Sequence, residues 1–210
     1  MPTADAPPPT RTTDDGDDED ADRGGENVLV LASTGDEGDH AYCAERLASA
    51  HGAAPPNALL VSLRASPDER FDAVVRNGSG RPSNVAIVSC DRTRGAAAAS
   101  SGSGHGPGLT PGPWIATVDS PGDLTGLGVR IRQALSNWAD DPGPVELCFH
   151  DLGTLVEHVD DRAAFRFCHA VTRHIRSSDA RSHFHLDPDA VSGRTLNTLR
   201  PLFDRVEDRR

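Results

Sequence analysis

From residue 27 onward, short apolar runs alternate with stretches of helical periodicity. Six runs are predicted strands: residues 28–31, 59–63, 85–88, 114–118, 145–149 and 182–186. Several of them are continuously apolar, as expected of strands that are buried on both faces. The alternation predicts one α/β domain over residues 27–207, with a doubly wound, mainly parallel sheet and helices on both faces.

Two sequences predict helix starts. Ser66-Pro67-Asp68-Glu69 has the form of a capping box with proline at the first helical position, and Ser120-Pro121-Gly122-Asp123 repeats the device. After the second start, one apolar stripe continues for about four turns; it contains Leu124, Leu127, Ile131, Leu135 and Trp138. Further helices are predicted over residues 41–50, 161–177 and 193–207.

Two segments lack any apolar periodicity. Residues 1–26 contain nine acidic residues and two arginines, which is −7 of the chain's net charge of −11. Such a segment has too little apolar surface to offset the entropy lost on ordering, so it is predicted to be a disordered acidic tail. Residues 92–112 are rich in Gly, Ala, Ser and Pro, which predicts a flexible insertion between two strands.

The composition excludes some common chemistry. All 21 Lys+Arg residues are arginine, against 32 Asp+Glu residues, so neither the lysine of a P-loop nor a Schiff-base lysine is present. An acidic, lysine-free chain is typical of a salt-adapted archaeon. No apolar run reaches 18 residues and the first residues do not have the form of a signal peptide, so we expect a cytoplasmic protein without a membrane partner.

The segment after the first strand resembles a phosphate-binding loop in its position but not in its residues. A helix N-terminus that follows a glycine-containing loop favours anions. Aligned with the P-loop pattern, Ser33 replaces the first glycine, Gly38 matches the last one, Asp39 replaces the lysine and His40 replaces the Mg²⁺-binding hydroxyl. We therefore expect no cofactor here, and the alternative is an atypical site for ATP and Mg²⁺.

The segment Leu147-Cys148-Phe149-His150-Asp151 has the form of a Walker B strand, whose terminal aspartate orders Mg²⁺. Together with residues 27–32, 120–128, 165–167 and 183–188, the stretch 147–160 resembles an uncharacterised haloarchaeal family of RecA/KaiC-like domains. The resemblance covers residues 27–207. It implies a RecA-like core with a degenerate P-loop, Asp151 in the Walker B position, no established activity, and the 182–186 strand between the 27–32 and 145–149 strands.

Histidines and cysteines offer a second kind of chemistry. His183, His185 and Asp187 have an H-x-H-x-D spacing, and strand alternation would turn both imidazoles to one side. His150 and Asp151 could supplement them as metal ligands, and the alternative is a pair of packed histidines at a strand end. Cys43, Cys90, Cys148 and Cys168 stand far apart without a C-x-x-C motif, which predicts reduced, mostly buried thiols.

A basic stripe is predicted on the helix over residues 161–177. Spacings of four, three, four and three place Arg162, Arg166, His169, Arg173 and Arg176 on one helical face. The stripe is a candidate surface for a protein partner, and the alternative is a solvated face paired with Asp160, Asp161 or Asp179. Nucleic acid is disfavoured by the net charge of −11.

These patterns favour a non-catalytic RecA/KaiC-like domain that acts as a regulatory or protein-interaction module. The alternative is a nucleotide-binding ATPase with a lysine-free phosphate loop. A metal-dependent hydrolase at His183, His185 and Asp187 is a third possibility.

Overall fold

The computed structural model describes residues 25–33, 37–50, 54–76, 82–90 and 113–210, without the side chains of residues 37–39 and 76. The acidic tail up to residue 24 and the whole 92–112 insertion lie outside these ranges. The strands are β1 Asn27–Leu31, β2 Asn57–Ser62, β3 Asn84–Ser89, β4 Trp114–Thr117, β5 Val145–His150, β6 Arg181–Leu186 and β7 Arg205–Asp208. The helices are α1 Glu37–Ser49, α2 Pro67–Phe71, α3 Leu124–Asn137, α4 Leu152–His158, α5 Asp161–Ser177 and α6 Gly193–Leu199.

The seven strands form one sheet in the order β4-β3-β2-β5-β6-β1-β7, and every neighbouring pair is parallel. The α/β class and the six predicted strands are confirmed. Strand β6 lies between β5 and β1, as the sequence resemblance implied. Because the carboxyl ends of parallel strands meet at one edge, the ends of β1, β5 and β6 are neighbours there.

The C-terminal region differs from the prediction of a helix over residues 193–207. Helix α6 ends at Leu199, a 3₁₀ turn covers Arg200–Leu202, and β7 then pairs with β1 at the edge of the sheet. Pro201 lies within the 3₁₀ turn, and proline cannot continue the hydrogen-bond ladder of an α-helix. The prediction was wrong because β7 contains one apolar residue, Val206, and therefore has no strand-like apolar run.

Two helix starts also differ from the prediction. Asp123, not Ser120, caps α3, and its carboxylate accepts the Gly126 N–H at 2.8 Å. Helix α1 begins at Glu37 rather than at residue 41, which agrees with the preference of acidic residues for the first helical turn.

The capping box of α2 is confirmed, and α2 continues into a π-helical turn over Asp72–Arg76. The helix over residues 161–177 is confirmed with its predicted bounds. Helix α5 has 17 residues, and no helix in the described part of the chain combines enough length with enough apolar character to cross a bilayer.

The sheet separates two cores of different composition. Helices α3 to α6 cover one face, here called the α5 face, where Phe149 and Phe184 stack with ring centroids 5.2 Å apart. Helices α1 and α2 and the π-helical turn cover the other face, here called the α1 face. Because side chains alternate along a strand, β5 directs Leu147 and Phe149 to the α5 face and Cys148 to the α1 face.

Candidate functional site

Asp151 follows β5 at the carboxyl end of a central strand, as predicted. It has a φ of 71° and caps α4, so that its Oδ1 accepts the Thr154 N–H at 3.0 Å. Its Oδ2 accepts the Thr154 hydroxyl and lies 3.1 Å from Nε of Arg64. Both carboxylate oxygens of the Walker B candidate are therefore engaged by protein groups.

Three of the other residues of the predicted phosphate loop lie at the start of α1, and Ser33 lies just after β1. Ser33 is exposed, and Gly38 and Asp39 belong to the first helical turn, although their side chains are outside what the structure describes. The His40 ring stacks on the His150 ring at a centroid distance of 5.6 Å, and its Nδ1 lies 2.8 Å from Nη1 of Arg70. The start of α1 is thus joined to the end of β5 by ring stacking.

Beneath α1, four potential metal ligands meet in one buried group, here called the Cys–His centre: Cys43 from α1, Cys148 from β5, and His183 and His185 from β6. One donor atom from each residue lies within 4.8 Å of the others. The Cys43 sulfur is 3.1 Å from Nε2 of His183, 3.3 Å from Nε2 of His185 and 2.6 Å from the Cys148 sulfur. Neither Cys43 nor Cys148 forms a disulfide bond.

The strand register explains how distant residues meet here. Cys148 of β5 is the register partner of His183 of β6, so both side chains lie on the same face of the sheet. Period-two alternation then adds His185, and α1 places Cys43 above them. The prediction that both imidazoles share one side is confirmed. Asp187 is not in the group and accepts the Asp189 N–H in the turn after β6.

Glu146 supports the centre from the same face of β5. Its Oε1 lies 2.9 Å from Nδ1 of His183 and 3.0 Å from Nε of Arg46, and its Oε2 lies 3.3 Å from Nε of Arg181. Burial opposes ionisation, but the His183 hydrogen bond and the three nearby cations lower the pKa of Glu146. The carboxylate is therefore charged, and it fixes the orientation of the His183 ring.

Arg70 brings a buried positive charge to the sulfur atoms. Its Nη2 donates to Cys148 at 2.8 Å and to Cys43 at 3.1 Å, and the side chain is fully buried. Burial raises the pKa of the Cys148 thiol, but the Cys43 hydrogen bond, Arg70 and His183 together hold it well below its ordinary value. Burial lowers the pKa of His183, whereas Cys148 and Glu146 raise it to about 9. The centre thus favours thiolate.

Tyr42 of α1 covers the histidines. Its ring meets the rings of His183 and His185 edge to face at centroid distances of 5.3 and 5.8 Å. The Arg209 guanidinium lies over the Tyr42 ring, 4.7 Å from its centroid. Burial raises the pKa of Tyr42 to about 12; the Arg46 charge opposes this shift and Glu207 adds to it.

The predicted basic stripe is exposed on α5. All five of its residues are solvent-exposed. Arg176 pairs with Asp204, and His169 stacks on Phe165. Among the described residues, the stripe does not pair with Asp160, Asp161 or Asp179; Asp160 instead caps α5, and Asp161 accepts the Thr195 hydroxyl. Within the described ranges, Arg162, Arg166 and Arg173 take part in no salt bridge.

A groove of about 550 Å³ runs between α3 and α5 beside this stripe. Its lining is mainly apolar and includes Val129, which is 42% exposed. Arg132, Arg166 and His174 contribute cationic or titratable groups. Sequence reasoning missed the groove because it depends on how α3 packs beside α5, and neither helix alone indicates it.

Comparison with known proteins places the chain in a family. The model of a family of unknown function, DUF7504, matches residues 25–207. The chain belongs to this family. Gly25 and Glu26, which the sequence placed in the tail, accordingly join the domain: Glu26 accepts the Ser182 N–H through its carbonyl and pairs with Arg46 and Arg205.

The fold of this DUF7504 member is similar to solved structures from Pyrococcus horikoshii. PH0321, described as an uncharacterised protein in complex with an unknown peptide, is 12% identical with a TM-score of 0.57, over 89% of this chain and 78% of that one. PH0250 is also 12% identical with a TM-score of 0.54, over 89% of this chain and 82% of that one. No curated protein matches the chain. At this identity the likeness concerns the fold alone.

Proposed function

We propose that the chain is a non-catalytic RecA/KaiC-like domain that serves as a regulatory or protein-interaction module. The observation that carries this proposal is the engagement of Asp151. A Walker B aspartate must be available to order Mg²⁺, whereas Asp151 accepts two hydrogen bonds from Thr154 and pairs with Arg64. The carboxylate here stabilises the start of α4 instead.

The first experiment separates this function from the alternative, a lysine-free ATPase. Thermal unfolding of the full chain is followed with and without saturating ATP and Mg²⁺ in molar KCl. A bound ligand at 100 times its Kd stabilises a protein by about 2.7 kcal/mol, so a real site would produce a visible rise in Tm. We expect no rise and no ATP hydrolysis. A rise in Tm that Asp151→Asn abolishes would establish the nucleotide-binding alternative.

The groove between α3 and α5 is the surface that supports an interaction role. It combines an apolar lining, an exposed Val129 and arginines that have no salt bridge in the described ranges. An acidic peptide segment that also carries apolar side chains matches both properties, because its carboxylates would pair with Arg132 and Arg166. The peptide bound by PH0321 is compatible with a peptide ligand on this fold.

Two glycines allow a matched test of the groove. A Cβ added at Gly128, which lines the groove, meets nothing within 4 Å, and the same holds at Gly193 outside the groove. Gly128→Leu should therefore fill the groove without disturbing the fold, and Gly193→Leu is its control. Peptides are selected from a random display library on the native chain and titrated against each variant by fluorescence anisotropy.

We expect the selected peptides to be acidic and apolar, and to lose at least about tenfold in affinity, or 1.4 kcal/mol, on Gly128→Leu. Gly193→Leu should bind them as the native chain does. Equal binding to both variants, or selection of basic peptides, would contradict the assignment of this groove.

A further inference from the structure

The Cys–His centre lies on the α1 face, whereas α3 and α5 form the groove on the other side of the sheet, and the proposed interaction role does not use the centre. We propose that Cys43, Cys148, His183 and His185 together bind one Zn²⁺ ion. The four donor atoms already lie within 4.8 Å of one another, and all four side chains are buried. They come from three elements, α1, β5 and β6, so the ion would tie the helix to the sheet.

The donor set selects the metal and the type of site. Two thiolates and two imidazoles in a tetrahedral arrangement are typical of zinc, whereas Mg²⁺ and Ca²⁺ prefer oxygen ligands. Four protein ligands leave no position for water or substrate, which is the pattern of a structural rather than a catalytic zinc site. The centre is therefore not the hydrolase site that the H-x-H-x-D spacing suggested.

The outer partners of the centre agree with a metal role. A zinc-bound histidine commonly donates its second ring N–H to a carboxylate, which fixes the tautomer and the ring orientation. His183 has this arrangement: Nδ1 lies 2.9 Å from Glu146 Oε1, while Nε2 is directed at the Cys43 sulfur at 3.1 Å. Arg46 and Arg181 hold Glu146 in turn. Zinc binding would displace the proton of Nε2, and with Nδ1–H held by Glu146 the lone pair of Nε2 would then face the ion.

Zinc binding requires a small expansion of the group. Two sulfurs that share a tetrahedral zinc at about 2.3 Å each are separated by roughly 3.8 Å, whereas the Cys43 and Cys148 sulfurs are 2.6 Å apart. A shift of the Cys43 side chain of about 1 Å supplies the difference. Arg70 is compatible with the ion, because a coordinated thiolate retains lone pairs that accept its N–H groups.

A nucleophilic cysteine is the main competing use of these residues. Cys43, His183 and Glu146 stand in the order of a nucleophile, its base and the group that orients the base. However, Cys43 and His183 have no exposed surface and Glu146 is 1% exposed, so a substrate has no access to the sulfur. Burial favours a closed metal site over a reactive one.

The test begins with the native full chain, purified under reducing conditions without chelator. Elemental mass spectrometry should find about one zinc per chain. After removal of the ion, Co²⁺ should restore a thiolate-to-cobalt charge-transfer band and the intense visible bands of tetrahedral cobalt. The absence of stoichiometric metal before and after reconstitution, or a Cys43–Cys148 disulfide that persists in reductant, would overturn the proposal.

A second buried cysteine provides the matched control. Cys168 is also fully buried, but it belongs to the core of the α5 face. Cys148→Ser should lose the tetrahedral cobalt spectrum, whereas Cys168→Ser should keep it at one equivalent. Glu146→Gln should keep the stoichiometry but weaken zinc affinity by about 10- to 100-fold, because the outer carboxylate is lost. Identical spectra for the two cysteine variants would overturn the proposal.

Chelation of the native chain keeps the test decisive even if Cys148→Ser does not fold. Zinc at 100 times its Kd should raise the Tm of the chelated protein by roughly 5–10 °C for a chain of this size. Mg²⁺ at the same concentration should leave the Tm unchanged. A Tm that responds to neither chelator nor zinc, or that responds equally to Mg²⁺, would contradict a zinc site.

Discussion

The two faces of the sheet are buried by different kinds of side chains. On the α5 face, the Phe184 ring contacts the rings of Phe149 and Phe203, and the core contains aliphatic and aromatic side chains. On the α1 face, Glu146, Arg70 and the Cys–His centre are buried beside a smaller apolar cluster. Apolar packing stabilises without a specific partner, whereas a buried charge is stable only while each of its partners is in place.

This difference indicates which of the two buried faces of the sheet contains a candidate binding site. The α5 face needs no ion or ligand to explain its residues. The α1 face contains buried titratable groups. Apolar side chains of equal volume could take their place without loss of stability, so the presence of the titratable groups favours a specific role.

The largest effect is expected on the α5 face. Phe184 is fully buried, stacks on Phe149 and meets Phe203 edge to face at 5.1 Å. Phe184→Ala should lower the free energy of unfolding by about 3–5 kcal/mol, with or without metal, because it leaves a cavity. Denaturant unfolding measures the loss, and Phe165→Ala, at a half-buried position, should lose clearly less. If the stability lost in Phe184→Ala depended on zinc, the two faces of the sheet would not contribute independently to stability.

On the α1 face, the buried charged network around Glu146 is expected to contribute to stability. Glu146→Gln keeps the shape but removes the charge that Arg46, Arg181 and His183 share, and should destabilise the domain by about 2–3 kcal/mol. Glu26→Gln removes a partly exposed partner of the same Arg46 and should lose less than about 1 kcal/mol. Equal losses by denaturant unfolding would show that burial of the network is unimportant.

Tyr42 is the single tyrosine of the chain, so absorbance reports its ionisation alone. Its pKa is raised to about 12, mainly by burial. The folded state holds the proton more tightly than the unfolded state does, so this contribution to stability is present below pH 10 and is lost as the pH rises through 12. The loss should be about 2.7 kcal/mol and absent in Tyr42→Phe. An ordinary pKa near 10 in the folded protein would show that α1 does not cover the histidines tightly.

Asp151, at the carboxyl end of β5, caps α4 and can be varied at that position. Asp151→Ala should destabilise by about 1–2 kcal/mol, because it removes the cap of α4 and puts alanine at a φ of 71°. Asp151→Asn, which tolerates this φ and still caps the helix, should change stability by less than about 1 kcal/mol. If the two variants are equally destabilised in thermal unfolding, the carboxylate charge rather than the cap is what matters.

The smallest effect is expected on the exposed stripe. Replacing Arg166 and Arg173 by Gln should change stability by less than about 0.5 kcal/mol, because neither side chain has a salt bridge in the described ranges. The same double variant should weaken the binding of acidic peptides selected on the groove. Arg130→Gln, whose side chain contacts Gln133 on α3, is the control. Unchanged peptide binding would leave the stripe as a solvated helix face.

The α/β class and six strands could be predicted because their apolar runs are local signals. The edge strand β7 could not, because pairing with β1, rather than its own residues, makes it a strand. Helix α5 could be predicted over about residues 161–177 because its apolar stripe is regular. Tertiary context decided the elements whose own residues were ambiguous.

The Cys–His centre shows the same limit for a site. The H-x-H spacing of His183 and His185 was visible in one strand, but Cys43 and Cys148 are separated by 105 residues and carry no local motif. Only the register of β5 on β6 and the position of α1 bring them together. With the strand order in hand, the alternation of Glu146, Cys148 and His150 opposite His183 and His185 would have been the signal to follow.

The position of β1 in the sheet also has a consequence for biosynthesis. β1 pairs with β6 and β7, whose first residues are Arg181 and Arg205, so both of its neighbours are translated long after it. At about 5–20 residues per second, the ribosome needs roughly 10–30 s to reach β6 after β1 has emerged. During that interval Val28, Leu29 and Val30, which are fully buried in the finished domain, have no native strand to pair with. Nascent chains of this protein therefore carry an apolar segment without its native strand partner until β6 has been translated.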